Sequence, residues 1–177
     1  MPPRIPQGLL ALARLTAAAV RGRERDIRRE LVAALAEDVD VHRLHETLLQ
    51  VVPFAGYGRA INAFAVLDSL RPDRPFRLER GTSKGDRLCR RIYGPSYGPL
   101  MRRLNALHPD LASWILRDGY GRVLSRGGLT IVERELLAVA ALAALDGLEK
   151  QLESHVRGAR RVGASEARIR AVLRAVR

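Results

Sequence analysis

Apolar residues in this chain recur at spacings of three and four in one segment after another, never in the strict alternation of a half-buried strand. Leu9, Leu12, Leu15 and Ala19 form one stripe, Ile27, Leu31, Ala34 and Leu35 a second, and Leu44, Leu48 and Val51 a third. A periodicity of this kind confines the chain to an all-α architecture built by burying one face of each helix. Asp38 and Asp40 offer cap oxygens ahead of the third stripe. Pro53 interrupts it, and Phe54 to Gly58 reads as a compact turn before a helix from Arg59 carrying Ile61, Phe64, Ala65 and Leu67.

Pro72, Pro75, Gly81 and Gly85 then break the pattern. The chain accordingly divides into a first helical unit over residues 8–70, a linker over 71–85 and a second unit over 86–177. Within the second unit, helices are expected from about Asp86, over Met101 to Leu107, and from His108-Pro109-Asp110 onward. Thr130 and Glu133 form a capping box that opens a helix through Leu145. Another helix runs from Gly147 to Arg161, with Gly163 as its left-handed terminator, and Ser165 caps a last one bearing Ile169, Val172, Leu173 and Val176.

An offset of 125 residues aligns two of these hairpins. Leu31 meets Val156, Ala34 meets Ala159, Asp40 meets Ser165, and Leu44, Leu48 and Val51 meet Ile169, Leu173 and Val176. These are inward and capping positions, so the alignment suggests a duplicated helical unit.

The lone cysteine, Cys89, excludes an internal disulfide framework and any CxxC redox or zinc knuckle. His42 and His45 have a spacing that suits a metal, but no third ligand accompanies them, and no cofactor is expected. The longest uncharged apolar run, Leu136 to Leu145, is half the roughly 20 residues a membrane-spanning helix needs. The start of the chain lacks a signal-peptide core, so a soluble cytoplasmic protein is expected. With 31 basic residues against 19 acidic ones, the net charge is +12. Such an excess suits an anionic partner, either small molecules or, nonspecifically, nucleic acid. The basic residues are spread over nearly every segment, however, as an arginine-rich composition alone would place them.

Gly121 to Leu129, Arg134-Glu-Leu-Leu137, Leu152-Glu-Ser-His-Val-Arg-Gly-Ala159 and Gly163-Ala-Ser165 together resemble the carboxymuconolactone decarboxylase family, within the alkyl hydroperoxidase D-like superfamily. Glu46 to Gln50 followed by Phe54-Ala-Gly-Tyr-Gly-Arg-Ala60 resembles that family's closing segment, here standing ahead of the opening one. The resemblance implies a helical fold and assembly into a homo-oligomer. Mapped back from His155, the superfamily's peroxidatic cysteines would fall at Leu148 and Gln151, and in the first unit at Arg23 and Asp26. A dithiol peroxidase needs two thiols there, so that activity is not expected.

The family's non-redox decarboxylases lack those cysteines as well. The resemblance therefore implies, if the chain is an enzyme, chemistry on a small carboxylated or lactone substrate. His155, Glu135 and Glu46 are then the candidate catalytic residues, with His155 as proton donor and Glu135 orienting its ring. Arg122, Arg126 and Arg134 are candidates to hold a substrate carboxylate. Two alternatives stand beside this reading: a catalytically silent oligomeric scaffold and a nonspecific nucleic-acid-binding protein.

Overall fold

The computed structural model describes residues 5–6, 8–73 and 84–177. Most of the expected linker, residues 74–83, lies outside them. Among the described residues there is no strand, and the chain is all-α. The helices are α1 (Leu9–Arg21), α2 (Glu24–Ala36), α3 (Val41–Leu49), α4 (Val52–Leu70), α5 (Gly85–Tyr93), α6 (Tyr97–Leu107), α7 (Pro109–Trp114), α8 (Ile131–Ala143), α9 (Glu149–Arg161) and α10 (Glu166–Ala175). A short 3-10 turn, Gly94–Ser96, links α5 to α6, and a π-helical stretch, Ile115–Leu124, follows α7.

Helices α1 and α8 pack against each other at the centre. Leu9, Ala11 to Ala13 and Leu15 to Val20 are buried in α1, as are Arg134 to Leu142 in α8. A helix buried over most of its surface must be largely apolar, and their alanine-leucine composition meets that need while the small alanines allow close approach; the buried charges of α8, Arg134 and Glu135, lie in its first turns. α2, α3, α4, α9 and α10 surround this pair, each burying one stripe, in a core drawn from residues 9–67 and 129–176. The two stretches read as separate units thus share one interior. A second, smaller cluster gathers Cys89, Ile92, Tyr97, Tyr120 and Leu124 beside it.

The helix ends follow the chemistry read from the sequence. Asp40 accepts a hydrogen bond from the His42 amide (2.8 Å), and Ser165 accepts one from Arg168. Thr130 and Glu133 complete a reciprocal capping box. α2 and α9 each span 13 residues, with Gly22 and Gly147 ahead of them at φ of 76° and 74° and Asp38 and Gly163 after them at φ of 55° and 107°. The Val39 amide donates to the Ala34 carbonyl as Ala164 does to Ala159.

The break expected at Phe54 to Gly58 is present within α4: two helical runs meet at Gly56, with φ 79° and ψ 172°, a backbone conformation essentially reserved for glycine. Two helix boundaries need correcting. α8 ends at Ala143 rather than Leu145, and α9 starts at Glu149 rather than Gly147, because Gly147 occupies the left-handed region between them. The π-helical stretch carries no sequence signal beyond Gly119 and Gly121, poor formers of an ordinary α-helix.

Candidate active site

α8 and α9 lie side by side, and this contact builds the central pair of the site. Glu135 is wholly buried on α8, and His155 Nδ1 of α9 lies 3.1 Å from its Oε2. The approach depends on Gly158, one turn beyond His155. A Cβ there would stand 2.6 Å from Glu135 Oε2 and 2.8 Å from Ile92 Cγ2. With Glu135 ionised, Nδ1 carries the proton it donates to the carboxylate, which leaves Nε2 as the nitrogen available to a ligand. Glu135 Oε1 is buried with no hydrogen-bond partner among the described residues. An orphan oxygen of that kind is rare in a folded interior, where buried polar atoms are nearly always paired.

Two tyrosines and Cys89 complete the surroundings. Tyr120 donates its hydroxyl to that of Tyr93 at 3.1 Å, and the Tyr93 ring meets His155 edge-on at 6.4 Å between centroids. Phe54, on α4, also meets the imidazole edge-on, at 5.9 Å between centroids. Burial pushes the Tyr93 phenol up and that of Tyr120 well up, so both stay protonated. The Cys89 thiol is pushed up to about 12, first by burial and then by the charge of Asp86. A thiol so raised is neither a nucleophile nor a ready target of oxidation.

His155, Tyr93, Tyr120 and Phe54 line a cavity of about 720 Å³. Leu148 and Gln151, the positions that the resemblance assigned to cysteines, line it too. So does Arg122, exposed at the cavity mouth and 3.6 Å from Asp118. Arg103 and Lys150 add two further exposed cations that the sequence reading did not single out. Neither has a helical signature, and only the packing of α6 and α9 around one space reveals them.

The structure places the remaining candidates elsewhere. Glu46, buried on α3, accepts hydrogen bonds from Arg126 at 2.8 and 3.0 Å and from Arg134 Nη2 at 2.8 Å. Arg134 also donates to Gln50 Oε1 and to the carbonyls of Arg126 and Gly127. These three residues meet, each engaged by the others, and none lines the cavity. Burial would raise the Glu46 carboxyl; the two arginines outweigh it and hold the group below the usual carboxylate range. Burial loosens the proton on Arg134 against the pull of Glu46, yet a guanidinium stays charged in proteins. The network pins α3 to the segment leading into α8. Among the described residues no three His, Cys, Asp or Glu side chains form a metal-binding group; His45 packs instead on Phe64 at 6.0 Å.

Among the described residues no helix is long and apolar enough to cross a membrane. Arginines across the fold are paired with acids, as Arg14 is with Glu30 and Glu37 and Arg28 with Glu24, so much of the charge is dispersed over the surface.

Residues 109–177 match the carboxymuconolactone decarboxylase family. The likeness read into Glu46 to Gln50 and Phe54 to Ala60 falls outside that span. The chain is 27% identical over 136 residues to Peroxisomal protein 2 of Schizosaccharomyces pombe, an alignment covering 72% of this chain and 63% of that protein. It therefore spans less than two thirds of the relative's length. No solved structure matches the chain. The stretch that matches this family, residues 109–177, carries Glu135, His155 and most of the cavity lining.

Proposed function

We propose that the cavity beside His155 is the working site of a cofactor-free enzyme acting on an anionic, carboxylated or lactone substrate by proton transfer, without thiol chemistry. The observation that carries this reading is the buried Glu135–His155 pair opening onto a cavity of about 720 Å³. Arg122 holds the substrate carboxylate, with Arg103 and Lys150 beside it. As the carbon–carboxylate bond breaks, carbon dioxide leaves and the electron pair remains on the substrate carbon. That carbon takes a proton from Nε2 of the imidazolium, while Glu135 holds the ring and offsets its charge. Tyr93 and Tyr120, protonated and hydrogen-bonded to each other, supply a neutral polar wall. Glu46, Arg126 and Arg134 act on this reading as scaffold.

The thiol-free part of the proposal is supported by Leu148 and Gln151 at the cavity wall and by the raised Cys89 thiol. Duplication of a helical hairpin, a homo-oligomer and a cytoplasmic location belong to the same proposal. The exposed Tyr57, Leu107 and Trp114 around the mouth favour the oligomer.

The test is carbon dioxide release from a panel of carboxylated lactones by the wild-type protein and by His155→Gln. The expected result is a rate loss of about 10²–10⁴-fold for the variant in a protein that keeps the helical circular dichroism spectrum of the wild type. Equal rates in the two proteins would reject the assignment.

A further inference from the structure

The cavity is larger and greasier than a compact lactone acid needs. A volume of about 720 Å³ lies in the upper part of the roughly 300–1,000 Å³ found for pockets that enclose drug-sized ligands. Its walls are dominated by aliphatic and aromatic side chains, among them Val52, Phe54, Leu104, Leu142 and Leu148. His155 and Tyr120 are buried, and the cations Arg103, Arg122 and Lys150, which line the same cavity, are exposed. Asp118, the acidic residue of the lining, is already engaged by Arg117 at 3.2 Å and lies 3.6 Å from Arg122. Arg103 and Lys150 have no ion pair among the described residues.

We infer that the ligand class of this cavity is a monoanionic amphiphile, a carboxylic acid whose apolar body is considerably larger than a lactone ring, held with its carboxylate at the Arg103–Arg122–Lys150 rim and its body against the leucine wall. The inference rests on the cavity being the working site and names what fills it. An apolar body displaces water from aliphatic walls, and each buried methylene adds a nearly constant increment to binding. The rim cations contribute sign selectivity more than affinity, because they are exposed and screened. Chain length and head-group charge should therefore act separately.

The protein carries its own probe, since Trp114 is its single tryptophan and lines the cavity while 56% exposed. Titration of the full chain with butanoate, hexanoate, octanoate and decanoate, followed by Trp114 fluorescence and by calorimetry, tests the inference. Affinity should rise by about threefold to fourfold per added methylene until the cavity is full. Decanoate should bind more tightly than decyltrimethylammonium. The double change Arg103→Ala with Lys150→Ala, at exposed positions, should weaken that preference, Arg122 remaining, and leave decanol binding unchanged. Leu104→Glu, which sets an anion in the wall, should weaken decanoate at least tenfold. Affinity independent of chain length, equal binding of the cationic amphiphile, or no binding by either method would overturn the inference. Failure here is separable from failure of the catalytic reading. Decanoate binding with turnover indifferent to His155→Gln removes the latter alone, and turnover dependent on His155 with no chain-length effect removes only the former.

Discussion

Replacing Glu46 by glutamine separates a structural carboxylate from a catalytic one. The Glu46 side chain is 1% exposed and that of Arg134 2% exposed, with 2.8 Å between them. Neutralising Glu46 leaves the guanidinium of Arg134 buried without a counter-charge, and breaking a buried pair from one side costs about 3–5 kcal/mol. Glutamine keeps one oxygen that can accept from Arg134 or Arg126, so Glu46→Gln should fall at the lower end and Glu46→Ala at the upper. In a domain of this size each kcal/mol moves the melting temperature by about 2–4 °C, so the loss should be roughly 6–20 °C. Thermal unfolding followed by circular dichroism measures it. Adding Arg134→Met to Glu46→Ala should recover part of the loss, because the stranded charge goes, although the carbonyls of Arg126 and Gly127 then lose their donor. A Glu46→Gln protein that melts within about 2 °C of wild type yet no longer turns over substrate would refute the structural assignment and return Glu46 to the chemistry.

The same carboxylate predicts an acid limb of stability. Its folded-state pKa lies below its unfolded value, so its contribution is complete above the ordinary glutamate range near pH 4.3 and lost as pH falls through the folded value; urea midpoints between pH 3 and 6 should decline less steeply in Glu46→Gln. Cys89, fully buried and with its thiol pushed up to about 12, should resist iodoacetamide in the native protein at pH 8 and react once denaturant is added, while Cys89→Ala leaves turnover intact; rapid native labelling would contradict its placement. Gly158→Ala drives a methyl group to 2.6 Å from Glu135 Oε2, so it should cost about 1–3 kcal/mol of stability through overpacking and lower turnover by moving the carboxylate; a fully active variant would show that the Glu135–His155 spacing does not matter.

What the sequence disclosed and what it withheld divide along a physical line. Caps and stripes are local, so Asp40, Thr130 with Glu133, Ser165 and the inward faces of α1 and α8 could be read directly. His155 and Glu135 came from the resemblance, and the structure joins them across the α8–α9 contact. Glu46 was read as a catalytic candidate and Arg126 and Arg134 as candidates to hold a substrate carboxylate, because pairing over separations of 80 and 88 residues leaves no local mark. Each could be assigned a separate chemical task only because its partners were hidden. The Tyr93–Tyr120 hydroxyl pair and the cations Arg103 and Lys150 were invisible for the same reason. The π-helical stretch that carries Tyr120 and Arg122 is set by packing on α5 rather than by a periodicity of its own.

The most direct check on the central claim is the imidazole nitrogen spectrum of histidine-labelled protein, titrated with a carboxylated ligand. Only four histidines are present, and His155 alone lines the cavity. The account predicts that the Nε2 resonance of His155 shifts on ligand addition, that its Nδ1 proton stays protected by Glu135, and that His42, His45 and His108 do not respond. A ligand that binds with the His155 signals unmoved, or one that perturbs His108 on the surface instead, would contradict it.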